Sequence, residues 1–128
     1  MARVLVLDDD PLIQATLPLL LREHGHEVLT ATNGKLGLRL LQTERVDLIL
    51  TDILMPEADG IEVVRAVVKD HPTIALVAMS GGSSRLPGTD AVQLTRLLGA
   101  HAVLVKPFGE AELVEAIRMA LEKVRPAR

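Results

Sequence analysis

The chain has 128 residues, room for one core and not for two. Its 48% hydrophobic content excludes a disordered chain, and the absence of cysteine excludes disulfides, thiolate metal sites and thiol redox chemistry. A net charge of −3 removes any general attraction to nucleic acid or anionic membrane, and a single aromatic residue, Phe108, offers no platform for base stacking.

Arg3 to Leu7 reads as an apolar strand ending in Asp8-Asp9-Asp10-Pro11. Met1-Ala2-Arg3 leads straight into it, so no signal peptide is expected and a cytoplasmic location fits. Asp10 followed by Pro11 is a helix start, with Asp10 as cap. Leu12, Ile13, Leu17, Leu20, Leu21 and His24 fall on one side of that helix; Pro18 predicts a kink within it and Gly25 its end. Glu27 to Ala31 is a second strand, and Asn33 caps a helix expected to turn Leu36, Leu40 and Leu41 inward.

Asp47 to Thr51 is a third strand, an apolar run bounded by turn signals that stops at the carboxylate of Asp52. Asp59-Gly60-Ile61-Glu62 is a capping-box-like start, with Asp59 as cap and Ile61, Val64, Val67 and Val68 as the buried stripe of the following helix. His71-Pro72 stops it. Ile74 to Met79 is a fourth strand, followed by Ser80-Gly81-Gly82-Ser83-Ser84, a loop to about Thr89, and a helix through Leu98 to Gly99. Ala102 to Val105 is a fifth strand, ending in Lys106-Pro107. A last helix runs from about Glu110 to Val124, with acidic residues early and Arg118 and Lys123 late, as the helix dipole favours. The expected division is a domain over 1–124 and a tail, or the start of a linker, over 125–128.

Five alternations of strand and helix, with continuously apolar strands, predict a parallel sheet covered on both faces. Ligands of such sheets bind outside the carboxyl ends of the strands. Asp8-Asp9, Asp52, Ser80 and Lys106 all terminate strands and belong on that rim. Each has a bland reading: Asp8-Asp9 as a solvated loop, Asp52 as a turn residue, Ser80 as part of a flexible loop, Lys106 as a surface lysine. Their convergence favours chemistry. Clustered carboxylates about 4 Å apart repel by roughly 4 kcal/mol at an effective dielectric near 20, so they need a proton or a cation. Oxygen ligands without His or Cys favour Mg²⁺ or Mn²⁺. Metal, ammonium and hydroxyl around one carboxylate suit phosphoryl transfer to it. Asp10 and Asp59 read as caps. His24 and His26 read as loop residues, and His71 and His101 show no evident partners.

Leu5-Val6-Leu7-Asp8-Asp9, Asp52-Ile53-Leu54-Met55-Pro56-Glu57-Ala58-Asp59-Gly60, Ser80 and Val105-Lys106-Pro107-Phe108, in this order, resemble the receiver domain of two-component response regulators. The resemblance implies an α/β fold: a doubly wound, flavodoxin-like sheet of five parallel strands, order 2-1-3-4-5, with five helices on its two faces. It implies Asp52 as phosphoacceptor and Mg²⁺ held by Asp9, Asp52 and the backbone carbonyl of Leu54, with Asp8 assisting largely through water. Lys106 would pair with the phosphoryl group, and Ser80 would bond it and move on activation. The implied donor is a histidine kinase or histidine phosphotransfer protein. The output would act through a partner protein or a missing domain, with no direct nucleic-acid or membrane binding. No turnover enzyme is implied, since such domains phosphorylate and dephosphorylate themselves.

Three departures stand out. Val103 occupies the place, three residues before the lysine, where the family usually has Tyr or Phe, which removes the familiar aromatic partner of a Ser80 switch. The segment from Ser80 to Gly99 is longer than usual. Leu54 and Gly82, two residues after Asp52 and Ser80, cannot orient an attacking water, so self-dephosphorylation is expected to be slow. Two alternatives compete. The first is a receiver module cut from a larger regulator or hybrid kinase, which the tail Arg125-Pro126-Ala127-Arg128 allows. A haloacid-dehalogenase-like phosphatase would use Asp8 as nucleophile and Asp10 as acid, but it lacks a downstream acidic pair and leaves Asp52 unexplained.

Overall fold

Five parallel strands form one sheet in the order β2-β1-β3-β4-β5. They are β1 (Arg3–Leu7), β2 (Glu27–Ala31), β3 (Leu48–Asp52), β4 (Ala75–Gly81) and β5 (Ala102–Lys106). This is a computed structural model, and it describes residues 2–53, 59–81 and 98–124. Four helices stand among the described residues: α1 (Pro11–Glu23), α2 (Gly34–Thr43), α3 (Asp59–Asp70) and α4 (Glu110–Val124). The further helix expected before Gly99 lies outside the described residues except for Leu98, as do the loop expected after Gly81 and the tail 125–128.

Strand alternation splits the core in two. Val4, Val6, Leu48, Leu50, Val77, Met79 and Leu104 meet Leu17 and Leu21 of α1 and Leu113 and Ile117 of α4 on one face. Leu5, Leu7, Ile49 and Leu76 meet Leu41 of α2 and Val63, Val64 and Val67 of α3 on the other. Successive side chains point to opposite faces of a strand, so an unbroken apolar run fills both layers. The expected two-faced parallel sheet and its strand order are present.

The helix faces agree with the expected ones at Leu17, Leu21, Leu41, Val64 and Val67 and differ at their flanks. Leu12 is 67% exposed, while α1 buries Leu17 and Leu21 as expected and Pro18 beside them. Leu36 is exposed, because α2 turns Gly34, Gly37 and Leu41 to the sheet. Val68 is exposed, and Val63 takes its place in the α3 stripe. A 3.6-residue period fixes that a stripe exists, but the close approach of a glycine decides which flank of it touches the sheet. Helix α1 continues through Pro18 to Glu23. It ends in a Schellman turn: Gly25, at φ 85°, donates to the Arg22 carbonyl, and His26 donates to that of Leu21. Asn33 caps α2 as expected, its Oδ1 accepting the Leu36 N–H at 2.9 Å. Helix α3 begins at Asp59 itself, whose side chain is not described.

Candidate functional site

The register brings the polar strand ends level. Leu7, the last residue of β1, pairs with Thr51, so Asp8 follows opposite Asp52. Asp52 pairs with Met79, which places Ser80 one step further out on β4. Ser80 and Lys106 both lie inside their strands rather than beyond them, Ser80 opposite Val105 and Lys106 opposite Gly81. Strand β3 likewise runs one residue further than expected and includes Asp52. The Lys106–Pro107 peptide bond at the end of β5 is cis.

Carboxylate oxygens of Asp8, Asp9 and Asp52 lie within 4.8 Å of one another. Asp8 and Asp52 are buried, Asp9 exposed. Lys106 reaches across from β5: its Nζ donates to Asp8 Oδ2 at 2.7 Å and to Asp52 Oδ2 at 3.3 Å. Burial pushes the Asp8 carboxyl above its ordinary value, against the pull of the Lys106 ammonium and of the Asp10 N–H. Burial works to lower Lys106 as well, but the carboxylates of Asp8 and Asp52 outweigh it and hold the ammonium above the usual lysine value. With all three acids ionised, the carboxylates exceed by two charges the one ammonium that the described residues bring to them. At this separation each like pair repels by about 3 kcal/mol at an effective dielectric near 20. An all-oxygen donor set with that surplus fits a hard divalent cation.

Ser80 is fully buried, and its hydroxyl has no hydrogen-bond partner among the described residues. A buried hydroxyl left unpaired costs about 1–3 kcal/mol, so an oxygen ligand arriving beside it gains that difference. Val103 packs with Ile53 and Ala78, directly behind the Asp52 strand end. The Leu54 carbonyl lies outside the described residues. Asp10 is a cap, its carboxylate accepting the Leu12 N–H at 2.9 Å. That contact gives Asp10 the structural role expected of it.

Sequence reading missed several residues around this rim. A Cβ on Gly60 would stand 2.3 Å from Ile53 Cα and 2.5 Å from the Asp52 carbonyl oxygen, so only glycine lets α3 abut the end of β3. Gln14 donates from its side-chain amide to two main-chain carbonyls beside the acidic pair. Elsewhere in the fold three histidines have partners: His24 meets Glu110 at 2.8 Å, and His26 and His101 accept the N–H groups of Ala2 and Leu76 at 3.0 Å. Such contacts join residues far apart in sequence, and no local pattern signals them.

The response regulator receiver domain family matches residues 4–118. Protein PilH of Pseudomonas aeruginosa is 37% identical over 121 residues, a match covering 94% of this chain and 98% of PilH. The transcriptional regulatory protein GlrR of Escherichia coli is also 37% identical, over 126 residues, covering 98% of this chain but 28% of GlrR. The chain therefore spans about a quarter of one relative and nearly all of the other. Among solved structures, a response regulator receiver domain protein from Clostridium thermocellum superposes with a TM-score of 0.85 at 31% identity, covering 96% of each chain.

Proposed function

The chain belongs to the response regulator receiver domain family, and on that premise we propose that it accepts a phosphoryl group on Asp52 and answers with a change of conformation. The observation that carries this reading is the Lys106 ammonium shared between Asp8 and Asp52, with Asp9 completing the acidic cluster. Asp8, Asp9 and Asp52, with the carbonyl of Leu54, would hold Mg²⁺, or Mn²⁺ in its place. When bound, the ion supplies positive charge for the phosphoryl oxygens.

A carboxylate oxygen of Asp52 attacks the phosphorus of a phosphohistidine. The O–P bond forms as the P–N bond breaks, and its electron pair leaves with the imidazole nitrogen. Lys106, released from Asp8, pairs with a phosphoryl oxygen, and the Ser80 hydroxyl donates to another. Both contacts exist only in the phosphorylated state, so both shift the equilibrium towards it. Val103 behind the site replaces an aromatic switch with a compact aliphatic one. The donor is a histidine kinase or phosphotransfer protein, and the output is a partner protein or a further domain. Residues 1–124 form the receiver. Leu54 and Gly82 supply no group to orient water, and the aspartyl phosphate is long-lived.

Incubation with acetyl phosphate and Mg²⁺, read by intact mass, tests this. The parent chain gains one phosphoryl group and Asp52→Asn gains none, while chelation of the metal abolishes the gain. Labelling that persists in Asp52→Asn but disappears in Asp8→Asn would overturn the assignment in favour of the phosphatase chemistry.

A further inference from the structure

Gln14 stands one turn into α1 and is half-buried. Its Nε2 donates to the main-chain carbonyl of Asp8 at 2.6 Å and to that of Ala31 at 2.9 Å. Two carbonyl acceptors demand the donor end of the amide, so the orientation of the side chain is chemically fixed. Leu7 and Ala31 form the last pair of the β1–β2 ladder. Gln14 thus ties the two strands together just where their own hydrogen bonding runs out. The Asp8 N–H reaches the same Ala31 carbonyl at a longer 3.3 Å.

We propose that Gln14 is a positioning residue for the acidic cluster, its amide setting how Asp8 and Asp9 face a divalent cation. The proposal rests on the reading of the cluster as a cation site. The Asp8 carbonyl that Gln14 grips belongs to the peptide plane joining Asp8 to Asp9. Holding that plane anchors the Cα of Asp9, from which the exposed Asp9 carboxylate departs. The next peptide carries the Asp10 N–H, which donates to Asp8 Oδ1 at 2.9 Å while Lys106 holds Oδ2. Asp8 is therefore gripped at its carbonyl and at both carboxylate oxygens, and only the grip on the carbonyl comes from a neutral side chain. When a divalent ion draws Lys106 away, the Gln14 tie remains.

The test is Mg²⁺ titration by calorimetry on the whole chain, without phosphodonor, beside amide hydrogen exchange of the metal-free protein. Gln14→Met keeps the length of the side chain and removes the donor. It should weaken Mg²⁺ about tenfold, the lower end of the loss when a group orienting metal ligands is removed. Exchange at the Asp10 amide should quicken while the amides of β3 and β4 keep their protection. Gln14→Lys restores a donor and should recover the Asp10 protection. If Gln14→Met does not fold, Gln14→Asn, too short to span both carbonyls, serves for the same comparison. A parent chain that binds Mg²⁺ while the folded variant binds it within about twofold overturns this proposal alone. Uniform loss of protection across the sheet also overturns it, because that marks a general staple. A parent chain that takes up no Mg²⁺ overturns the cation reading, and this proposal with it.

Discussion

Lys106 carries the largest electrostatic responsibility of any single side chain at the rim. Its ammonium touches two buried or nearly buried carboxylates and is itself 21% exposed. Removing one partner of a buried ion pair leaves the other charge desolvated and uncompensated. Lys106→Met should therefore destabilise the metal-free chain by about 2–3 kcal/mol, below the usual loss for a fully buried pair because water still reaches the lysine. Mg²⁺ should then stabilise the variant more than the parent, since the ion no longer competes with the ammonium for Asp8. Urea denaturation with and without Mg²⁺ measures both effects. Equal Mg²⁺ stabilisation of the two chains would show that the lysine and the ion occupy separate places. The four charged rim residues were legible in the sequence because each ends an apolar strand. Gln14, Gly60 and His101 were not, because what makes them matter is a partner on another element.

At the scale of elements, the strands were read almost to the residue, while the helix faces were read at their centres and missed at their flanks. A strand buried on both sides has no face to misassign. A helix has one, and a turn of a residue's width exchanges Val68 for Val63 or leaves Leu12 and Leu36 in solvent. Caps proved more legible than faces, since a cap is a local contact between residues two or three apart. Asn33 is the clearest case: its Oδ1 satisfies the Leu36 N–H, which has no carbonyl partner within the helix. Helix α2 has no acidic residue in its first turn to help it. Asn33→Ala should cost about 1 kcal/mol of stability, read by thermal or urea unfolding. Exchange should quicken first at the amides of the opening turn of α2. Glycine in its place should cost only a few tenths of a kcal/mol, which separates loss of the cap from a change of backbone conformation.

Across the whole molecule, all five strands point the same way, so the sheet has two unlike rims. The carboxyl rim gathers the acids and Lys106. The amino rim holds His26, just before β2, and His101, just before β5. Each imidazole accepts a main-chain N–H at Nδ1, a bond that only the neutral ring makes. Burial holds both below the ordinary histidine value, and the nearby Lys123 adds to the effect at His101. The unfolded chain therefore takes up these protons first as pH falls. Stability from this rim is complete above about pH 6.5, the unfolded value, and is lost as pH falls through the lower folded values. Between those limits each histidine contributes a slope of up to about 1.4 kcal/mol per pH unit. His101→Asn keeps an acceptor near the Nδ1 position without the titration, and it should flatten that part of the stability profile from pH 7 to 5. An unchanged slope in His101→Asn and in the matching His26 variant would place the acid sensitivity elsewhere. Because the two rims lie at opposite ends of the strands, the same variants should leave Mg²⁺ affinity and acetyl-phosphate labelling at neutral pH as they are in the parent chain.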